Sequence, residues 1–408
     1  MAQKLPECDR EAARLLELQR KSAPGSRRLD AVLCALFVGM IALFTVLHVL
    51  LPDRDKSETE NRTLTQLPEL SLEDILDGTF TADIADYMAD QFPGRDFFIT
   101  LKAASETALG KKTNNGVILA EGGTLVTRDE LPNRENLGNN LASTDAFSAW
   151  CAQRGIPSLM AITGRTADVL DHTLPSYYGS YYSDRLWAEL EAGAAGRSYE
   201  FLNLRNPLRE RAAAGEYVYY RTDHHWTTLG AYYGYADIAD ALGINASPLT
   251  DFRRETVSES FLGTTWSTAG ASWVDGEPME FFRFDGDGSY TTTIVDDGTV
   301  FAGFYDTSYV DVKEKYSAFL AGNPGLVTVT ADNPSAERET LLLIKDSFAH
   351  AAAPFLARHC DLVIVDLRYY KMRVTDLVEQ YGVDRVLYLM NVDSLTGSTV
   401  LRMLEAGT

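Results

Sequence analysis

From Ala31 to Leu51 the chain carries no Asp, Glu, Lys or Arg, and its ionisable groups there are His48 and the thiol of Cys34. At about 1.5 Å of helical rise per residue, such a run is long enough to cross a bilayer core of roughly 30 Å. Arg20, Lys21, Arg27 and Arg28 precede it, which under the positive-inside rule keeps the N-terminus in the cytoplasm. No small-residue cleavage site follows Leu51, where the chain continues Pro52-Asp53-Arg54-Asp55. The pattern predicts an uncleaved transmembrane anchor over 31–51, behind a cytoplasmic tail over 1–30 that is partly helical through Glu11–Lys21. Everything after the anchor is expected outside the cell. The opposed reading is a buried helix of a soluble protein.

Residues 52–69 are polar and lack apolar periodicity, as a stalk would. From Leu70 the pattern turns helical, with Ile75, Leu76, Phe80, Ile84, Tyr87 and Met88 at spacings of three and four, broken at Pro93-Gly94 and resumed over Phe97–Leu109. Val117–Leu119 and Thr124–Val126 flank Glu121-Gly122-Gly123 as in a hairpin. Helices then alternate with strands: Ser143–Arg154, strand Ile156–Ile162, Asp184–Gly193, strand Phe201–Leu204 and helix Trp226–Leu242. A Gly-, Thr- and aromatic-rich stretch at about 250–334 reads as an insertion. Alternation returns with strand Leu341–Ile344, helix Phe348–Arg358, strand Leu362–Val365, helix Val374–Tyr381 and strand Arg385–Leu389. Strands alternating with helices predict a parallel sheet covered on both faces, over 70–408. Ligand sites in such sheets lie beyond the carboxyl ends of strands, where Gly164, Ser347, Asp366 and Asn391 would fall.

Composition narrows the function classes. Lys and Arg total 37 against 58 Asp and Glu, a formal net charge of −21, so there is no basic footprint for nucleic acid. The same charge keeps the part outside the membrane soluble and tends to repel polyanions. Of four cysteines, Cys8 falls inside and Cys34 in the membrane. Cys151 and Cys360 remain outside, either paired or as two buried thiols. Neither CxxC nor HExxH occurs, so the sequence supports no metal site, and the chemistry considered below needs no cofactor.

The densest chemistry lies in Thr222-Asp223-His224-His225-Trp226-Thr227, in a chain of only six histidines. The second cluster is Lys345-Asp346-Ser347-Phe348-Ala349-His350, after the apolar run Leu341–Ile344. It reads as a buried strand delivering Ser347 to a helix start. Asp, His and Ser can form a triad in this chain order, because triads are defined by geometry. Residues i and i+2 of an extended or turn segment point the same way, so Asp223 can orient the ring of His225. Two roles stay open for Asp223, that one and N-capping of the following helix. Ser347 and Asp346 have a capping role open as well. His224 would point elsewhere, into the core or towards an acyl donor. Arg165 and Asn391 are candidates to neutralise an oxyanion at Ser347, beside the default roles of surface residue and turn residue. The tyrosine clusters fit sugar stacking or plain packing.

These residues resemble the bacterial DHHW protein family, whose tetrapeptide stands here as Asp223-His224-His225-Trp226. Glu60–Leu64 with Leu67-Pro68, Asp90–Arg95, Tyr219–Thr222, Ile344–Phe348, Asp366–Tyr370 and Asn391 match its other blocks in order. The family is similar to the extracytoplasmic alginate O-acetyltransferases, which have an SGNH-hydrolase-like domain. The resemblance implies a three-layer α/β/α fold behind one N-terminal transmembrane helix. It makes Asp223 the orienting acid, His225 the base and Ser347 the nucleophile, with His224 on the variable position. Arg165, Asn391, Arg368, His224 and Trp226 are the residues of this chain taken as oxyanion or substrate-binding candidates. At Thr163-Gly164-Arg165 the chain departs from the family's Pro and Lys. The implied activity is O-acetylation of a cell-surface or secreted polysaccharide, with a membrane-bound O-acyltransferase as partner. A carbohydrate acetylesterase using the same residues, or a non-catalytic glycan-binding scaffold, are the alternatives.

Overall fold

The computed structural model describes residues 24–57, 59–128, 131–179, 181–334 and 336–407. The expected tail helix Glu11–Lys21, with Arg20, Lys21 and Cys8, lies outside the described residues. The chain divides into two compact units, one of residues up to Ser57 with Arg62–Phe98, the other of Glu58–Asn61 with Ile99–Thr408.

In the first unit, helix Pro24–Leu50 contains one stretch, Arg28–Leu50, with the length and composition to span a membrane. Helices Leu72–Asp77 and Thr79–Asp90 follow, the first capped by the Ser71 hydroxyl on the Asp74 amide. The segment expected as a stalk is tied to the second of them. Asp90 accepts from Arg62 at 2.8 and 2.5 Å and from the Thr65 amide at 2.9 Å, and the Gln91 amide group bonds the backbone of Arg54 and Thr65. The Arg62 guanidinium and the Thr65 amide, outweighing the opposing effect of burial, hold the Asp90 carboxyl well below the usual carboxylate range.

The second unit is built on an eight-stranded sheet. Its strands in chain order are β1 (Ser158–Thr163), β2 (Glu200–Asn203), β3 (Tyr290–Ile294), β4 (Thr299–Ala302), β5 (Leu326–Ala331), β6 (Thr340–Lys345), β7 (Asp361–Val365) and β8 (Arg385–Asn391). Their spatial order is β4-β3-β5-β7-β6-β8-β1-β2. β7, β6, β8, β1 and β2 run parallel, while β5, β3 and β4 add an antiparallel edge. Residues 290–331, read from sequence as part of an insertion, thus extend the main sheet.

Alternate side chains of the central strands enter two different cores. Leu341, Leu343, Leu362, Ile364, Leu387 and Leu389 face helices Arg205–Ala213, Thr228–Ala241 and Ala349–Ala357. Leu342, Ile344, Val363, Val365, Tyr388 and Met390 face helices Arg134–Ala152, Tyr181–Ala194 and Val374–Tyr381. Burial on both faces is why these strands read as unbroken apolar runs. Cys360 belongs to the first core and Cys151 to the second, and both are free thiols.

Candidate active site

The Asp-His-His-Trp segment is the tip of a tight hairpin. Tyr219 bridges Trp226, the Tyr220 amide donates to the His225 carbonyl at 3.2 Å, and Thr227 N donates to Val218 O at 2.9 Å. The fully buried Glu277 carboxylate holds the turn from below, accepting from the amides of Arg221 (2.8 Å) and Thr222 (2.7 Å) and from the hydroxyls of Thr222 and Tyr217. Helix Thr228–Ala241 is capped by Thr227, whose hydroxyl accepts from Gly230 N. Asp223 is therefore not its N-cap.

Asp223 Oδ1 lies 2.6 Å from His225 Nδ1 and also accepts from the His225 amide at 3.0 Å. The other carboxylate oxygen accepts from the Thr264 amide at 2.8 Å and hydroxyl at 3.1 Å. Burial alone would raise this carboxyl, but His224, His225 and the Thr264 amide hold it well below the usual range. A carboxylate can only accept, so Nδ1 of His225 carries the proton and Nε2 is left as an acceptor. Nε2 meets the Ser347 hydroxyl oxygen at 2.6 Å. The imidazole plane is fixed by Tyr316, stacked at 3.9 Å between centroids and 9° between planes.

Ser347 follows β6 and precedes helix Ala349–Ala357. Neither Asp346 nor Ser347 caps that helix, whose N-cap is Phe348 with no side-chain cap; Asp346 is engaged elsewhere, accepting from Phe348 N at 2.9 Å, Asn391 N at 2.7 Å and the Ser394 hydroxyl at 2.7 Å. Ser347 is left with its half-buried hydroxyl on the histidine. Ser347, Asp223, His225, Tyr316 and Arg368 line one cavity of about 260 Å³.

The other residues singled out in the sequence separate into different places. Arg368 lines the Ser347 cavity, its guanidinium bonded to both oxygens of Asp366 at 2.9 and 2.6 Å. His224 borders that cavity and a neighbouring one of about 480 Å³ that includes Arg165 and Asn391. Its ring donates to or accepts from the Thr264 hydroxyl at 2.7 Å, and it is held below the ordinary histidine range by desolvation and by the adjacent His225 ring. Arg165 pairs with Asp168 at 3.1 Å. Two of the candidates have their side-chain donors engaged within the scaffold. The Asn391 side-chain amide donates to Gly164 O at 2.8 Å and to the Thr163 hydroxyl at 3.4 Å, so it ties β8 to β1 and is not aimed at Ser347. Trp226 is fully buried, donating to Phe348 O at 2.8 Å, so it holds the scaffold and does not face the cavity.

Behind Ser347 lies a buried ionic network that the pattern alone did not reveal. Lys345 Nζ is 2.9 Å from Asp366 Oδ2 and 2.6 Å from His350 Nε2. The ammonium has no acceptor capacity, so Nε2 of His350 accepts from it. Burial, and then the Lys345 charge, hold His350 well below the ordinary histidine range. Thr264, Tyr316 and Glu277 also went unnoticed in the sequence, because each stands in the stretch read as an insertion and none has a local motif.

Asp223, His224 and His225 have ligand atoms within 4.8 Å of one another, a grouping that could take a metal ion. The donor atoms facing one another there are engaged in hydrogen bonds with Ser347, Thr264 and each other. The site thus sets a serine on an imidazole, and the imidazole on a carboxylate, at the carboxyl edge of the parallel strands of an α/β fold. The family model described as DHHW protein matches residues 60–147 and 195–366, and the chain belongs to that family.

Two curated relatives share sequence with it, each named probable alginate O-acetylase AlgJ. The one from Pseudomonas fluorescens is 24% identical over 190 residues, 46% of this chain and 48% of that protein. The one from Pseudomonas aeruginosa is 24% identical over 160 residues, 38% of this chain and 41% of that protein. The match thus spans less than half the length of either. Among solved structures, a DHHW family protein from Eubacterium siraeum has a TM-score of 0.57 at 20% identity, covering 71% of this chain and 95% of that one. Bacillus cereus PatB1 has a TM-score of 0.58 at 20% identity, covering 70% and 98%. These likenesses establish the fold.

Proposed function

We propose that this chain is a membrane-anchored, extracytoplasmic O-acyltransferase that places acetyl groups on a cell-surface or secreted polysaccharide. The observation that carries the reading is the pair of 2.6 Å contacts at His225, Nδ1 to Asp223 and Nε2 to Ser347. The name of the curated relatives supports acetyl transfer to a polysaccharide. The apolar stretch Arg28–Leu50 supports anchoring, and the basic residues before it support an N-terminus inside.

In this reaction His225 Nε2 takes the Ser347 proton as the oxygen attacks the donor's acyl carbon. The tetrahedral intermediate collapses, the donor's leaving group departs with that proton, and an acyl-serine remains. A sugar hydroxyl then gives its proton to His225, attacks the acyl carbon, and Ser347 regains its proton. Asp223 keeps the imidazole in one tautomer and stabilises its charged form. Arg368 supplies positive charge in the same cavity. A membrane-bound O-acyltransferase supplies acyl groups from across the bilayer. Water in place of the sugar would make the same residues an acetylesterase.

The test is incubation of the full chain with p-nitrophenyl acetate, followed by peptide mass spectrometry. An acetyl group on Ser347, absent in Ser347→Ala and in His225→Ala, is the expected result. A neutral glycan acceptor should then become acetylated at the expense of acetate release. Acetate release unchanged by saturating acceptor would make the protein an esterase. No adduct, together with unchanged surface acetylation in cells carrying Ser347→Ala, would leave a scaffold.

A further inference from the structure

In the first unit, the Phe44 ring stacks on Phe92 with centroids 5.0 Å apart and meets Phe98 at 5.8 Å. Phe92 also meets Phe98 at 5.8 Å, and Phe98 meets Phe97 at 5.4 Å. One turn further along the same helix, His48 meets the ring of Tyr87 at 5.4 Å. Phe44, Leu47 and His48 are partly covered, whereas the rest of the apolar helix from Arg28 to Leu50 is exposed. Phe44 stands about 9 Å along the axis from Leu50, where the span ends, at ~1.5 Å per residue. Ring centroids 5–6 Å apart leave no space for a layer of water or headgroups between them. The rings that touch Phe44 therefore lie at Phe44's own depth.

Those rings are open on their remaining sides. Phe92 is 36% exposed, Phe98 41% and Phe97 64%, a cluster that aqueous solvent disfavours. The two carboxylates within residues 87–98 are paired, Asp96 with Arg54 at 2.9 Å and Asp90 with Arg62 at 2.5 Å. An apolar surface seated about 5–10 Å into the headgroup and acyl boundary is how interfacial segments bind.

We infer that residues 87–98 form a second, monotopic membrane contact beside the anchor, in which Phe92, Phe97 and Phe98 enter the leaflet at the C-terminal end of the span. The occupant of this surface is lipid. The anchor and the helices after it are then one membrane-docked body, not a span on a free tether. This inference rests on the reading of Arg28–Leu50 as a membrane span.

The full chain is placed in nanodiscs made with acyl-brominated or ordinary phosphatidylcholine, as wild type and as Phe97→Trp, Phe92→Trp and Leu131→Trp. Leu131 is 77% exposed in the other unit and serves as the aqueous control. The added fluorescence of Phe97→Trp should fall about two-fold in brominated lipid and resist acrylamide, with Leu131→Trp behaving oppositely. Phe92→Trp, a swap of one aromatic ring for another, should repeat the result if Phe97→Trp fails to fold. Acrylamide quenching equal to that of Leu131→Trp, with no bromine effect, would overturn the inference. Insensitivity to both quenchers would seat the ring against protein and overturn it as well. Release of the wild-type chain from membranes by alkaline carbonate would instead remove the span on which the inference rests.

Discussion

Trp226 donates its indole N–H to the carbonyl of Phe348 at 2.8 Å, tying the residue after the histidine to the residue after the serine. Both side chains are buried, and their rings meet at 5.7 Å between centroids. This bond sets the distance between two loops that lie far apart in sequence. Trp226→Phe keeps the ring contact and removes the donor, leaving a buried carbonyl without its partner. Stability should fall by about 1–3 kcal/mol in urea denaturation. Turnover with p-nitrophenyl acetate should fall by roughly 10²-fold, because a small misplacement of nucleophile and base is enough.

Asp223→Asn preserves shape but offers His225 an amide, which can hold the imidazole in the wrong tautomer. Turnover should fall by about 10⁴-fold with substrate affinity little changed. A kcat loss below tenfold would show that Asp223 does not orient the base.

Gly263 has no space for a side chain. A Cβ there would stand 2.2 Å from Asp223 Oδ2 and 2.3 Å from Asp223 Cβ. Gly263→Ala should displace the carboxylate from His225 and reduce turnover by at least 10²-fold. The loss should appear in kcat, with the fold retained by circular dichroism.

His350 is kept neutral in the folded state, first by burial and then by the neighbouring Lys345. Its folded value lies below the unfolded value near 6.5, so below that pH the unfolded chain binds the extra proton and the folded chain does not. The stability it contributes is full above about pH 6.5 and is lost as pH falls towards the folded value. Unfolding free energy should therefore drop as the pH falls below about 6.5, by up to about 1.4 kcal/mol per pH unit. His350→Gln should flatten that profile, measured by urea denaturation at several pH values.

Burial pushes the thiols of Cys151 and Cys360 up to about 12, leaving almost no thiolate at neutral pH. Neither should react with iodoacetamide in the native protein, and both should be alkylated after unfolding without a reductant. Peptide mass spectrometry of the two states checks this. Recovery of a linked Cys151–Cys360 peptide would contradict it.

The sequence by itself determined what depends on neighbours along the chain. The apolar run after Asp30 marked a candidate span by length and composition alone. The alternation of apolar strands with helices fixed the parallel part of the sheet, because strands covered on both faces read as unbroken apolar segments. The i, i+2 spacing of Asp223 and His225 was legible for the same reason, since a turn of a few residues sets that contact. Tertiary structure decided the rest. Helix Arg134–Ala152 has a polar first half that hid it, because Asn140 turns inward only to bond the carbonyls of Leu395 and Ser398 at 2.9 and 2.7 Å. Thr264 comes to Asp223, Tyr316 to His225 and Glu277 to the turn at Thr222 from segments far along the chain, and Lys345 finds Asp366 only through the pairing of β6 with β7. A buried charge or amide is recognisable once its partner is known, and the partner is supplied by packing between segments that no local period connects.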